Sequence, residues 1–297
     1  MVIETESLTQ LLPFIEWIHI TVDMFVVILA ALLLIVSTRV KVFHENLNAL
    51  MQFAIAFIGF SFLTRLLLAV CEIGGLQRES EFGRIVFAVV GSIWSTFAYA
   101  SVFVVVSIAI ERGFATYYLS DYERRSRSAI RVALLVLIIV TSTILGVLDW
   151  KYDITVYDLP SMIVIVISSA TGYLFLYSYN RKMLKKLPID RTEYSLSLRY
   201  QLEENLRVFR VMRYLYLNAV ISLLFILGIL YILTQCIEAE CRRAVMEVYD
   251  LTVSVASCAF FILCAVTIQR WRKELRKMLN CPAEQRQNQV AVAIIPE

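Results

Sequence analysis

Seven stretches of this chain are apolar for about as long as a lipid bilayer is thick, and nothing else in the sequence constrains the fold as much. They run roughly Trp17–Thr38, Leu47–Val70, Ile85–Ile110, Val132–Leu148, Leu159–Tyr179, Tyr214–Thr234 and Val248–Ile268. A helix needs about 20 apolar residues to cross a hydrocarbon core about 30 Å thick. The fourth run is the shortest, and flanking Ala129 and Ile130 extend it. From Ile85 to Ile110 there is not one Asp, Glu, Lys or Arg. The runs are continuously apolar rather than alternating, which indicates helices and not barrel strands. Composition agrees: 59% of the 297 residues are hydrophobic and 18% charged, with a mean hydropathy of +0.71. Soluble domains sit nearer 45–50% apolar and about 25% charged. The expected fold is an all-α membrane protein, a bundle of seven transmembrane helices. A formal charge of +3 is too small to imply a nucleic-acid partner. The first 16 residues carry Glu4, Glu6 and Glu16 and no positive residue, the opposite of a cleaved signal's basic start.

Lys and Arg in the short loops set the direction of such a bundle. With the N-terminus outside, the four cytoplasmic segments hold two, five, nine and six of them, 22 of the chain's 28. The outer loops hold five: Arg78, Arg84, Lys151, Arg242 and Arg243. Arg65 lies inside a span. The expectation is an extracellular N-terminus (1–16), a seven-helix domain (17–268) and a cytoplasmic tail (269–297).

In that topology Glu111 and Arg112 stand together at the cytoplasmic foot of the third span. Rhodopsin-type G-protein-coupled receptors carry an acid–Arg pair at this place. The arginine pairs with its neighbour in one state and turns to a cytoplasmic partner in the other, a shift that needs only a few kcal/mol. The plainer reading is a basic anchor snorkelling to the headgroups. Either way the pair is expected at the water-facing end of the helix, exposed, contributing about 0–1 kcal/mol to stability.

The segment IAIERGFATYYLSDYE (108–123) and the segment YSLSLRYQLEENLRVFRVM (194–212) resemble the nematode serpentine receptor class epsilon. The shared features are an ER-x-FAT foot on the third span and an LS-x-RYQ-x-x-EN lead-in to the sixth. That resemblance implies a seven-helix chemosensory receptor of the plasma membrane of chemosensory neurons. It implies a small-molecule ligand and a heterotrimeric G protein as partners. The chain also departs from the rhodopsin pattern. Gly113 replaces an aromatic, which is expected to loosen the helix end, and the sixth span has no Pro. The seventh lacks Asn-Pro-x-x-Tyr and has no Lys, so no retinal Schiff base can form.

Three ionisable residues lie within spans at similar depth in the outer half: Asp23, Arg65 and Asp250. Charges in a membrane usually pair or serve function. Three readings stay open: Arg65 as a structural pair with Asp23 or Asp250, Arg65 as anchor for an acidic ligand, or a side chain snorkelling outward. His19, one turn before Asp23, is expected at the interface. Arg199, Arg207, Arg210 and Arg213 line a basic helix leading into the sixth span. They form either a headgroup-facing surface or a G-protein contact.

Six cysteines are spread thinly, with Cys71, Cys236 and Cys241 outside, Cys258 and Cys264 in the seventh span and Cys281 in the tail. The outer three allow one bridge, Cys236–Cys241 or Cys71 with either, and the local pairing is favoured. Beyond the last span, Trp271, Leu275 and Leu279 recur at i, i+4, i+8 among Arg272, Lys273, Arg276 and Lys277. This spells an amphipathic helix lying on the membrane surface. Cys281 at its end is a palmitoylation candidate or an unmodified thiol. No metal site or cofactor is expected. The spans offer no nucleophile with a base and no carboxylate or His cluster for an enzyme. With one Pro in the spans and an odd number of helices, a transporter of inverted halves is also disfavoured.

Overall fold

The computed structural model describes residues 5–76, 80–118, 128–152, 155–186, 193–235 and 239–278. Seven long helices contain all seven apolar runs: α1 (Thr5–Arg39), α2 (Glu45–Ile73), α3 (Glu81–Tyr117), α4 (Ser128–Tyr152), α5 (Thr155–Lys186), α6 (Glu193–Gln235) and α7 (Ala239–Thr267). Among the described residues there is no strand. Each helix is long and apolar enough to cross a membrane. At 1.5 Å per residue the 43 residues of α6 span about 65 Å, so α6 must project well beyond a bilayer core. The outward faces are apolar too, with Phe175, Phe225 and Val70 among the exposed side chains. That is how a surface solvated by lipid differs from one solvated by water.

Six of the helices close into a ring, α1–α2–α3–α5–α6–α7, and α4 packs outside it against α3 and α2. Sequential helices pack side by side, except that α4 and α5 do not; α7 returns against α1, and α3 is central, packing on α2, α4 and α5 and touching α6. Two close approaches set the α3–α4 contact. A Cβ on Gly146 would stand 2.5 Å from the Thr96 backbone nitrogen, and one on Gly91 would collide with the Trp150 ring. Small residues let helix backbones meet where no hydrophobic force favours association. Facing them, Phe97 of α3 stacks on Phe60 and tilts against Phe57 of α2, with centroids 5.5 and 6.0 Å apart.

Helix ends follow local chemistry. Ser80 caps α3, its hydroxyl accepting the Gly83 N–H at 3.0 Å with Glu81 in the first turn. Gly113 does not loosen α3, which runs on to Tyr117. Past α7 the helix breaks at Ile268 and resumes over 269–278. Here the surface-helix expectation is corrected. Trp271 is fully buried in the bundle, and its indole N–H donates to the Val40 carbonyl at 3.2 Å. That carbonyl is one of those a helix end leaves without a partner, and a buried indole needs an acceptor. Leu275 and Met278 pack on the same core.

Candidate functional site

The end of the bundle formed by the close of α3 and the start of α6 carries the acid–arginine pair, and it is buried. Glu111 is 0% exposed and Arg112 2%. This corrects the expected water-facing position. The guanidinium folds back on its neighbour with two bonds, Nε to Glu111 Oε2 at 2.6 Å and Nη2 to Oε1 at 2.7 Å. Its remaining arm, Nη1, donates to Asn205 Oδ1 on α6 at 3.0 Å. Adjacent residues on a helix do not face each other, so the fork geometry is supplied by the packing around it. One guanidinium thus joins α3 to α6. Beside it the Arg112 carbonyl accepts the Thr116 hydroxyl at 2.9 Å, and Thr116 in turn accepts the Asn180 amide of α5 at 2.9 Å. Three helices meet at Arg112.

Asn205 was missed as a site residue although it closes the LS-x-RYQ-x-x-EN segment. The arginines of that segment face the other way. Arg199, Arg207, Arg210 and Arg213 are exposed, while Leu202, Asn205, Val208, Phe209 and Met212 are buried. Arg199 pairs with Glu203 at 3.2 Å. The structure therefore does not bring the basic stripe onto Arg112; it sets the two on opposite faces of α6.

Toward the middle of the bundle an aromatic group continues the α3–α5–α6 contact. Tyr216 of α6 donates its hydroxyl to the Val105 carbonyl of α3 at 2.9 Å and lies 3.1 Å from the Ser169 hydroxyl of α5. Tyr173 lies between Tyr216 and Phe209, its ring tilted against both with centroids 4.8 and 4.4 Å away. Against Tyr216 opens a cavity of about 200 Å³, walled by α2, α3, α5, α6 and α7. Ile108, one turn before Glu111, is part of its wall, and none of its lining residues is charged.

The opposite end holds the three intramembrane charges, which the structure brings together. Arg65 Nη2 reaches Asp250 Oδ2 at 2.8 Å, and its Nε lies 3.6 Å from Asp23 Oδ2. Arg65 is 8% exposed, so it does not snorkel outward. Ser254 donates to Asp23 at 2.5 Å, and Trp94 lies under the guanidinium at 5.9 Å. His19, expected at the interface, is buried by protein as well. It is 9% exposed, with Nε2 3.2 Å from Asp23 and Nδ1 3.4 Å from Glu247. Buried charges demand partners, and α1, α2 and α7 are drawn together by supplying them. Asp149 of α4, also missed, is buried and accepts the Ser95 hydroxyl of α3 at 3.0 Å. The two differ in cause: Asp149, next to the end of an apolar run, reads as loop, and Asn205 sits in a helix whose arginines draw the attention.

Cys241 is disulfide-bonded, whereas Cys71, Cys258 and Cys264 are free. Cys236, Cys281, Leu279 and the basic cluster Arg124, Arg125 and Arg127 lie outside the described residues.

A bundle of seven membrane-length helices, with a buried acid–arginine pair at the close of the third, is consistent with a serpentine membrane receptor. Comparison with known proteins specifies which. Residues 2–295 match the Sre family, described as Sre G protein-coupled chemoreceptor. Three Caenorhabditis elegans proteins are similar. Serpentine receptor class epsilon-1 is 30% identical over 64% of this chain and 56% of its own length. Class epsilon-37 is 24% identical over 74% and 70%, and class epsilon-31 is 27% identical over 62% and 51%. The matches thus span about half the length of two of these relatives. The chain belongs to the Sre family of chemoreceptors and is a multi-pass membrane protein.

Proposed function

We propose that this chain is a chemosensory receptor that binds a small molecule and signals through a heterotrimeric G protein. In this reading the N-terminus is extracellular and the Arg112 end of the bundle is cytoplasmic, in the plasma membrane of a chemosensory neuron. The family supports the receptor role, and the 22 of 28 basic residues assigned to one side support the orientation. Residues 269–297 are then a cytoplasmic tail, with Cys281 a site of palmitoylation. Cys241 is bridged to Cys236 on the outer side. The exposed arginines Arg199, Arg207 and Arg210 form the G-protein contact.

The observation that carries the proposal is the three-armed hold on Arg112: two bonds from Glu111 on its own helix and one from Asn205 on α6. It is a resting-state latch. Releasing Asn205 lets α6 swing from α3 and frees a charge-assisted donor that the partner protein can take. One arm to a charged group contributes about 1.5–3 kcal/mol, the right size for an equilibrium that a ligand must shift. The test is guanine-nucleotide exchange in membranes containing the receptor and a G protein, screened with a panel of small molecules. A compound that accelerates exchange with the wild type and not with Arg112→Lys supports the reading, because lysine keeps the charge and loses the fork. Equal acceleration in both at matched surface expression refutes the latch.

A further inference from the structure

The central cavity has a chemistry that specifies what fits it. Its volume is about 200 Å³. An apolar cavity of about 150 Å³ holds benzene, six heavy atoms, so this one takes roughly eight in proportion. Most of the wall is hydrocarbon, including Met51, Val102, Ile108, Leu223 and Phe260. The polar groups have largely spent their hydrogens on the protein. Ser101 donates to Ala98 O at 2.7 Å, Ser222 to Asn218 O at 2.7 Å and Tyr216 to Val105 O. One hydrogen of the Asn218 amide goes to the Ala256 carbonyl at 3.1 Å, which leaves Oδ1 and the second N–H for Asn218 to offer. Next to Ala256, Ser257 also lines the cavity. The Asn218 amide and the Ser257 hydroxyl therefore line the cavity where α6 meets α7, in a wall that is mostly apolar.

The charged alternative has nowhere to go. Arg65 lies among Asp23 and Asp250, and His19 between Asp23 and Glu247. A carboxylate ligand would have to displace two carboxylates already in place, and an ionised group in the cavity would lie in hydrocarbon without a counter-charge.

We propose that this cavity is the ligand site, and that it takes an uncharged, largely apolar molecule of about eight heavy atoms with one hydroxyl. The hydroxyl donates to Asn218 Oδ1 and accepts from Ser257. This rests on the receptor reading above for its consequence but not for the binding itself. The occupant presses on Tyr216 and Ile108, and so on both helices that Arg112 joins.

The test is thermal unfolding of the purified full chain in nanodiscs with four probes of one shape: benzyl alcohol, toluene, benzoate and benzylammonium. Near saturation, benzyl alcohol raises Tm by about 5 °C, toluene by less, and the two ions not at all. Ala219→Phe fills the cavity and abolishes the shift. Ser257→Ala, which deletes one of the two bonds to the ligand hydroxyl, lowers the benzyl alcohol shift toward that of toluene and leaves toluene unchanged. Should Ala219→Phe not fold, the Ser257→Ala comparison decides alone. Bulk effects of the solvents on lipid act equally on every variant, so the differences between variants read the cavity. Stabilisation by benzoate equal to that by benzyl alcohol overturns the proposal and moves the ligand to Arg65. So does a benzyl alcohol shift that survives in Ala219→Phe or is untouched in Ser257→Ala. A shift as proposed without any nucleotide exchange leaves the site standing and removes the signalling reading.

Discussion

Arg65 lies within reach of two carboxylates, and this decides which substitution at that end of the bundle hurts most. With Asp250→Asn, Asp23 still stands 3.6 Å from the guanidinium; with Asp23→Asn, the 2.8 Å pair with Asp250 survives. With Arg65→Leu, Asp250 loses its 2.8 Å partner and Asp23 keeps His19 alone of its two described ion-pair partners. The cost of an unpaired buried charge is about 3–5 kcal/mol. Surface expression and Tm should therefore fall most in Arg65→Leu. They should recover in part when Asp23→Asn and Asp250→Asn are added to it. Normal expression of Arg65→Leu with loss of ligand response alone would make Arg65 a ligand anchor. The same reasoning revises the expectation for Arg112. Because Glu111 is buried and takes two bonds from Arg112, Arg112→Ala removes both and should lower expression as well as coupling, by flow cytometry and exchange assay respectively. At this scale the sequence was only half legible. Asp23, Arg65 and Asp250 declared themselves by lying inside apolar runs. His19, Asp149, Glu247 and Asn205 did not, because a polar residue near the end of a run, or in a charged helix beyond it, looks the same whether it faces water or a buried partner.

Elements were easier to read than their rotations. The number and approximate reach of the helices followed from the length of the apolar runs, since lipid forces every backbone polar group to be satisfied within the helix. Which face turns inward did not follow, because core and lipid are equally apolar and the usual amphipathic stripe is missing. Only the few polar and small residues mark the inward face. Gly146 is one of them. Gly146→Val would drive a side chain into the Thr96 backbone, which cannot yield as a side-chain tip can. We expect a loss of about 1–3 kcal/mol or more, read as a lower Tm, whereas Gly172→Ala, with open space around it, should be silent. The tail helix gave a period that was read correctly and a partner that was not. Trp271→Ala removes a fully buried ring and its bond to Val40, and about 3–5 kcal/mol with them. If the tail instead lay on lipid, that substitution would leave Tm unchanged.

For the whole molecule, six of the seven described helices close into a ring with α4 outside it, charge gathers at two ends of the bundle and the middle is hydrocarbon around a small cavity. The orientation predicts that a tag at Met1 labels on intact cells and one after Glu297 only after permeabilisation; the reverse would put Arg112 on the outer side and end the coupling account. The fold was foreseeable because bilayer thickness is a strict ruler. The connection between the cavity and the latch was not, because it depends on Tyr216, Val105, Asn205 and Arg112 meeting from positions up to 111 residues apart. That connection makes the Arg112–Asn205 bond the central claim, and two substitutions at position 205 push it in opposite directions. Asn205→Ala deletes the arm from α6, and Asn205→Asp replaces a neutral acceptor with a charged one, strengthening the hold on Arg112. The measurement is ligand-independent guanine-nucleotide exchange at matched surface expression. Basal exchange above wild type, by about tenfold for each 1.4 kcal/mol released, in Asn205→Ala and below it in Asn205→Asp is the result this account predicts. Exchange indistinguishable from wild type in both variants would contradict it.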